Sequence, residues 1–291
     1  MSRVPHWLRF LLFAVFMFLV GRYLEGPVDN WVAQSLGLHP NELSPAVVAI
    51  QEVVSLAEIL LLTGAASLLE RKRIDSYGLP IRSAFGGVYG GGFLAGMAVV
   101  VFVGGAMVAA GGMKVSGFAL HGVEAWKSML AWLAAMVMLG INEEYLFRGY
   151  ALQALWRSAG FWPATVVTTA LFAAAHVTKP HENLIDITII VAIGLALCLS
   201  VRSTGSLWWA TGFHAAFDFG QFFLIGTKNG GSPPVGHLLD VSFPGPAWIT
   251  GGELGTEASG FMIPAALAIL IFTGCFQKKP AHRSKVASST S

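Results

Sequence analysis

The chain has 291 residues, 55% of them hydrophobic and only 12% charged, with a formal net charge of +2. An average soluble domain carries about 25% charged residues, and a mean hydropathy of +0.65 excludes an ordinary soluble globule in favour of an integral membrane protein. The small net charge and the lack of a basic arm argue against a nucleic-acid partner and leave membrane lipid as the expected surroundings.

A spanning helix needs about 20 largely apolar residues. Eight stretches approach that length, so the expected fold is all-α, a polytopic membrane bundle of about eight transmembrane helices. The first covers residues 6–24. Its basic "MSRVPHWLRF" and apolar "LLFAVFMFLV" resemble a signal peptide. "GRYLEGP" follows with no small-x-small cleavage site, which reads as an uncleaved span. The second covers 45–69. The third, 84–110, contains "GGVYGGGFLAGMAVVVFVGG", and small residues let helix backbones approach closely in lipid, so it reads as a packing helix. The fourth, 125–156, is long enough to end in a surface segment. The fifth, 161–178, is short and bounded by Pro163 and Pro180. The sixth and seventh cover 184–202 and 206–225. A Gly- and Pro-rich loop, 226–260, leads to the last span, 260–276, and a polar tail expected to be disordered. Four regions result: N-terminal helices (1–124), a core (125–225), an extracytoplasmic loop (226–260), and the last helix with a cytoplasmic tail (261–291).

Positive charge sets orientation. With alternating spans, one side collects Arg3, Arg9, Arg71, Lys72, Arg73, Arg82, Arg157, Arg202 and the tail residues Lys278, Lys279, Arg283 and Lys285. The other side holds Arg22, Lys114, Lys127, Lys179 and Lys228, diluted by Glu25, Asp29, Glu42, Glu182, Asp240, Glu253 and Glu257. Both termini are therefore expected in the cytoplasm, with the chain in the plasma (inner) membrane. Cys198 and Cys275 lie far apart in apolar stretches, which suggests neither a disulfide nor a thiolate metal site.

Against this background the polar residues inside spans stand out. "GINEEYLFRGY" places Glu143, Glu144 and Arg148 in the fourth span. A charge at a helix centre costs roughly 2.5–3.5 kcal/mol on insertion scales. Arg148 follows Glu144 by four residues and shares its helix face, whereas Glu143 is turned by about 100° from Glu144. The expected division pairs Glu144 with Arg148 and points Glu143 elsewhere. A bland reading puts all three at the membrane surface. The fifth span carries His176 four residues after Phe172, and the seventh carries His214 and Asp218 one turn apart. A lone histidine is more often a core residue than a catalyst, but these groups occur in three spans. At about 1.5 Å per residue they could meet at one level. His6, His39, His121, His237 and His282 lie near span ends, in loops or in the tail, and His181 and Glu182 are weaker candidates for a rim.

The ordered set "EEYLFR" (143–148), "FAAAH" (172–176) and "HAAFD" (214–218) resembles the CPBP (Abi, or CAAX-protease) family of intramembrane proteases, over roughly residues 125–225. The resemblance implies a hydrolase that cuts a membrane-associated peptide or protein. Glu143 would activate water with help from His176, and His214 with the residue at 218 would stabilise the oxyanion. Glu144 and Arg148 would support them, with Phe172 beside His176. Members with Asn at the last position can donate a hydrogen bond there. An ionised aspartate accepts only, so Asp218 would have to be protonated, orient His214 or bind a metal. Glu143, His176, His214 and Asp218 could hold Zn²⁺ with an open position, or act without metal as general base and oxyanion donors. Buried Glu, His and Asp also build proton relays in transporters, and a scaffold or immunity protein could bind a peptide without cutting it. In the hydrolase reading, water needs a hydrophilic cavity with a lateral or cytoplasmic opening.

Overall fold

A computed structural model describes residues 5–177 and 180–276. Thr178, Lys179 and the tail with its four basic residues and His282 lie outside the described residues, as does Arg3. The bundle is helical, as composition predicts, and the chain is a multi-pass membrane protein. Among the described residues, six helical stretches are long and apolar enough to cross a membrane: His6–Ser35, Pro45–Glu70, Gly87–Ala109, Gly122–Ala159, Leu184–Thr204 and Gly252–Cys275. Large apolar side chains such as Leu61 (74% exposed), Leu68 and Leu94 point outward from them, where lipid rather than water is the favourable surrounding.

The first span is longer than expected. α1 (His6–Val20) does not stop at Gly26–Pro27 but passes through a π-helical turn, Gly21–Glu25, into α2 (Gly26–Ser35). Proline inside a helix clashes with the preceding turn, and a π turn opens the ladder at the place where the clash would fall. α3 (Pro45–Glu70) starts at Ser44, whose hydroxyl accepts from the Val47 N–H, and ends at Arg71 in the left-handed conformation. The glycine-rich α4 (Gly87–Ala109) follows.

Strand β1 (Lys114–Phe118) pairs antiparallel with β2 (Leu239–Ser242). The segment read as a loop therefore carries structure: β2, the single-turn α10 (Ala247–Thr250) and a 3₁₀ stretch, Gly252–Ala258. It ends in α11 (Met262–Cys275).

α5 (Gly122–Glu144) runs through a π-helical turn, Tyr145–Ala151, into α6 (Leu152–Ala159). α7 (Phe161–His176) has 16 residues, and α9 (Trp208–Phe219) continues as a π turn to Ile225. These two are helices where the sequence places them, but they are shorter than a full span. α9 is buried along most of its length and packs on α4, α5 and α8, so protein rather than lipid covers it. α8 (Leu184–Thr204) is capped by Asn183, whose Oδ1 accepts from the Ile185 and Asp186 N–H groups, and stops at left-handed Gly205.

Glycine sets the α4–α9 contact. A Cβ on Gly92 would fall 2.0 Å from the Trp209 carbonyl oxygen, and one on Gly96 2.2 Å from that of Phe213. From the other side, a Cβ on Gly212 would fall 2.2 Å from the Tyr89 carbonyl oxygen. The backbones touch, as the packing-helix reading of the third span expected. At the end of the bundle where α1 begins, Glu70 accepts from Arg9 (2.9 Å), Lys72 (2.9 Å), Tyr77 (3.2 Å), Tyr150 (3.2 Å) and Arg157 (3.3 Å). That carboxylate ties α1, α3 and the α5–α6 helix together.

Candidate functional site

The site begins where α5 changes geometry. Glu144 is the last α-helical residue, and the π turn that follows carries Arg148. Gly149 sits there at ψ −110°, and a Cβ on it would meet the Tyr145 ring at 2.8 Å. Tyr145 donates its hydroxyl hydrogen to the Ile74 carbonyl at 2.7 Å, which pins the turn. Glu144 and Arg148 are fully buried, and Arg148 Nη1 donates to Glu144 Oε1 at 2.9 Å. The guanidinium lies 4.2 Å from the centre of the Phe172 ring, a cation–π contact that helps shelter a charge in a dry place. Glu144 and Arg148 therefore sit inside the protein rather than on its surface.

The other motif residues gather around the pair. His214 Nδ1 lies 2.9 Å from Glu144 Oε1. Glu144 already accepts from Arg148, and a carboxylate only accepts, so Nδ1 carries a proton and donates. His214 Nε2 then faces Asp218 Oδ2 at 3.4 Å and Glu143 Oε2 at 3.7 Å. Asp218 Oδ1 accepts from Gln221 Nε2 at 3.2 Å, and Gln221 Oε1 accepts from Thr256 at 2.5 Å. Of the three roles open to Asp218, its position beside Nε2 suits orientation of His214. His176 Nδ1 lies 2.9 Å from the Phe172 carbonyl oxygen and so donates to it. In the neutral ring, Nε2 is left as an acceptor. The Phe172 ring centre lies 4.6 Å from that of His176 and 6.3 Å from that of His214, so one aromatic side chain touches both histidines and the arginine.

Glu143, His176, His214 and Asp218 line one cavity of about 160 Å³, with apolar walls from Ile189, Ile193, Phe213, Phe217 and Met262. Asp186, Asn229 and Glu257 also line it. The sequence reading missed these three. Asp186 sits in the first turn of an apolar span, a detectable anomaly, but Asn229 and Glu257 lie in the segment without a motif. Glu52 and Asn142, treated below, were missed as well. The rim candidate His181 lies close to Gly231, and Glu182 lies in the same α7–α8 connection. Neither lines the cavity.

Among the described residues, no group of three or more His, Cys, Asp or Glu is arranged to hold a metal ion. Glu143, His176, His214 and Asp218 as they stand are not drawn together as such a group, and the chemistry below is derived from the side chains alone. The cavity is bounded by the C-terminus of α7, the first turns of α8 and the 226–260 segment. All of these lie at the end of the bundle opposite the start of α1 and the end of α11.

Residues 125–220 match the family described as type II CAAX prenyl endopeptidase Rce1-like. No curated protein and no solved structure matches the chain. The matched segment runs from α5 into α9 and contains all three motifs, so this part of the chain is similar to that family.

Proposed function

We propose that this protein belongs to the CPBP family and is an intramembrane endopeptidase that hydrolyses a peptide bond in a membrane-associated peptide or protein, from the plasma (inner) membrane with both termini in the cytoplasm. The observation that carries this reading is the convergence of Glu143, His176, His214 and Asp218 on one cavity, beside a sealed Glu144–Arg148 pair. Glu143 acts as general base. His176, with Nδ1 committed to the Phe172 carbonyl, offers Nε2 as a second acceptor, so one water can be held by both its hydrogens. As Glu143 takes a proton, the hydroxide oxygen bonds the scissile carbonyl carbon and the carbonyl electron pair moves onto oxygen. His214, doubly protonated, donates Nε2–H toward that oxyanion while Nδ1–H stays on Glu144. Asp218 holds the ring in place. Collapse of the tetrahedral intermediate breaks the C–N bond, and Glu143 returns its proton to the leaving amine.

The test is cleavage of a quenched fluorescent peptide library by purified protein in detergent, with wild type beside Glu143→Gln, each with and without a strong chelator. Wild type is expected to cleave in both conditions. Glu143→Gln is expected to lose at least about a hundredfold, the usual worth of a general base, with unchanged folding. Loss of wild-type cleavage in chelator, restored by Zn²⁺, would put the same four side chains in metal-ligand roles. Full activity in Glu143→Gln would remove the general-base assignment. A folded wild type that binds peptide without cutting, or moves protons across vesicles, would replace the reading with a scaffold or a transporter.

A further inference from the structure

Glu143 and His176 face two cavities. The first is the one described above, walled by α8 and α9. The second, of about 250 Å³, is bounded instead by α3 and the π turn after α1. Glu25, Gln51, Glu52, Ser55 and Asn142 line it together with Glu143 and His176, and Leu146, Phe147 and Ala175 complete a wall whose surface is mainly apolar. Carboxylates, amides and a hydroxyl inside a membrane bundle face either one another or a water-filled space. At about 30 Å³ per molecule, a cavity of this size holds several waters.

One contact fixes this wall. Asn142 is 1% exposed, and its Nδ2 donates both to the Glu52 main-chain oxygen at 2.5 Å and to Glu52 Oε2 at 2.8 Å. The residue immediately before Glu143 is thereby tied to α3. Glu52 lies outside the segment that matches the family and belongs to none of the three motifs.

We propose that the second cavity is the water vestibule of the site and that Glu52 is a positioning residue, which holds the vestibule wall and the Glu143 backbone through Asn142. This inference rests on the hydrolytic reading. Hydrolysis brings two reactants to Glu143. A substrate segment seated in the first cavity fills it and expels water from that side, so the attacking water needs a separate approach. The α3 side supplies one, where the polar groups of Glu25, Gln51, Glu52, Ser55 and Asn142 reach an otherwise mainly apolar wall.

Two experiments test it, and the first does not depend on activity. In a Cys275→Ser background, with Cys198 fully buried, Ser55→Cys and Leu61→Cys are exposed in detergent to trimethylammonium-ethyl methanethiosulfonate. The thiolate attacks the reagent's sulfenyl sulfur and expels sulfinate, and a thiolate forms only where water reaches. Both positions lie more than about 13 Å from either end of α3 by helical rise, but Leu61 faces outward. Ser55→Cys is expected to react and Leu61→Cys to stay unmodified. No reaction at Ser55→Cys overturns the vestibule whatever the protein cleaves. Reaction there, with no peptide cleavage by folded wild type, sinks the hydrolytic reading instead.

The second experiment is kinetic. Ser55→Leu, which fills the vestibule with hydrocarbon, is expected to lower kcat at least about tenfold with KM within about twofold. Glu52→Leu is expected to do the same. Glu52→Gln keeps an acceptor for Asn142 and is expected to retain most of kcat. A rise in KM at constant kcat in Ser55→Leu would make the second cavity part of the substrate site. Equal loss in Glu52→Gln and Glu52→Leu would overturn the positioning role, since the hydrogen bond would then not be what matters.

Discussion

Glu144 is held from two sides, by Arg148 Nη1 and by His214 Nδ1, each at 2.9 Å, and neither Glu144 nor Arg148 has any exposed side chain. Removing one member of such a pair leaves a buried charge without its counter-ion, which costs about 3–5 kcal/mol, whereas replacing both by apolar residues of similar volume is often neutral. Glu144→Leu should therefore destabilise the bundle by about that amount, and the double variant Glu144→Leu/Arg148→Leu should recover much of it. Thermal melting in detergent reads the cycle. The double variant should nonetheless be inactive, because His214 Nδ1 loses its acceptor and the ring is free to turn. A double variant as unstable as the single would mean that the pair is not what holds the π turn. One that kept full activity would mean His214 needs no anchor.

The same burial explains what was legible at the level of single residues. A carboxylate or imidazole in an apolar run is an anomaly because lipid penalises it, and Glu143, Glu144, His176, His214 and Asp218 are visible for that reason. Their spacing places Glu144 with Arg148 on one face, and the structure pairs them at 2.9 Å. Glu52 is an equal anomaly in the second span, but it stands outside the motifs, and its partner Asn142 is neither charged nor periodic. Only the contact between α3 and α5 brings the two together. That contact is tertiary, and nothing local in either segment encodes it.

At the scale of elements, the site depends on helices that carry no chemistry. α9 brings His214 and Asp218 to Glu144 only because it lies against α4 and α5 at backbone distance. Gly140 belongs to this arrangement, since a Cβ there would fall 2.9 Å from the Thr211 carbonyl oxygen. Gly96→Leu puts a branched side chain where less than a Cβ fits, with Phe213 backbone rather than a flexible tip as the obstacle. Overpacking of a tight contact costs typically about 1–3 kcal/mol, and more where backbone must move. The expected outcome is a lowered melting temperature together with lost cleavage. Gly105→Leu, on the same helix with nothing within 4 Å of its Cβ, should leave both unchanged. Equal behaviour of the two variants would show that α4 and α9 do not need contact at backbone distance. Glycine-rich composition made α4 readable as a packing helix, but its partner was not readable. Strands β1 and β2 gave no signal either. "KVSGF" is exposed along its whole length, so it lacks the apolar alternation that marks a strand, and its pairing with Leu239–Ser242 spans more than a hundred residues of sequence.

Across the whole molecule, charge and chemistry separate to opposite ends. Arg9, Arg157 and Lys72 meet Glu70 at one end, and Arg202 packs over the Phe161 and Trp162 rings nearby in the fold. The cavities at Glu143 lie toward the other end, with Asn229 and Glu257 of the 226–260 segment lining one and Glu25 the other. Lysine and arginine in short connections stay cytoplasmic, so the basic end should face the cytoplasm and the site should open laterally or outward. In intact cells, with Cys275→Ser as background, a membrane-impermeant maleimide should label Asp240→Cys, which is exposed on β2, from outside. It should label Arg82→Cys, exposed beyond the other end of the bundle, only after permeabilisation. That pattern would direct the search for substrates to peptides and membrane proteins presented in the outer half of the bilayer. The reverse pattern would turn the same cavities toward the cytoplasm, and the charge bias would then have been overruled by the 226–260 segment, whose Lys228–Glu253 pair at 2.9 Å is neutral in sum.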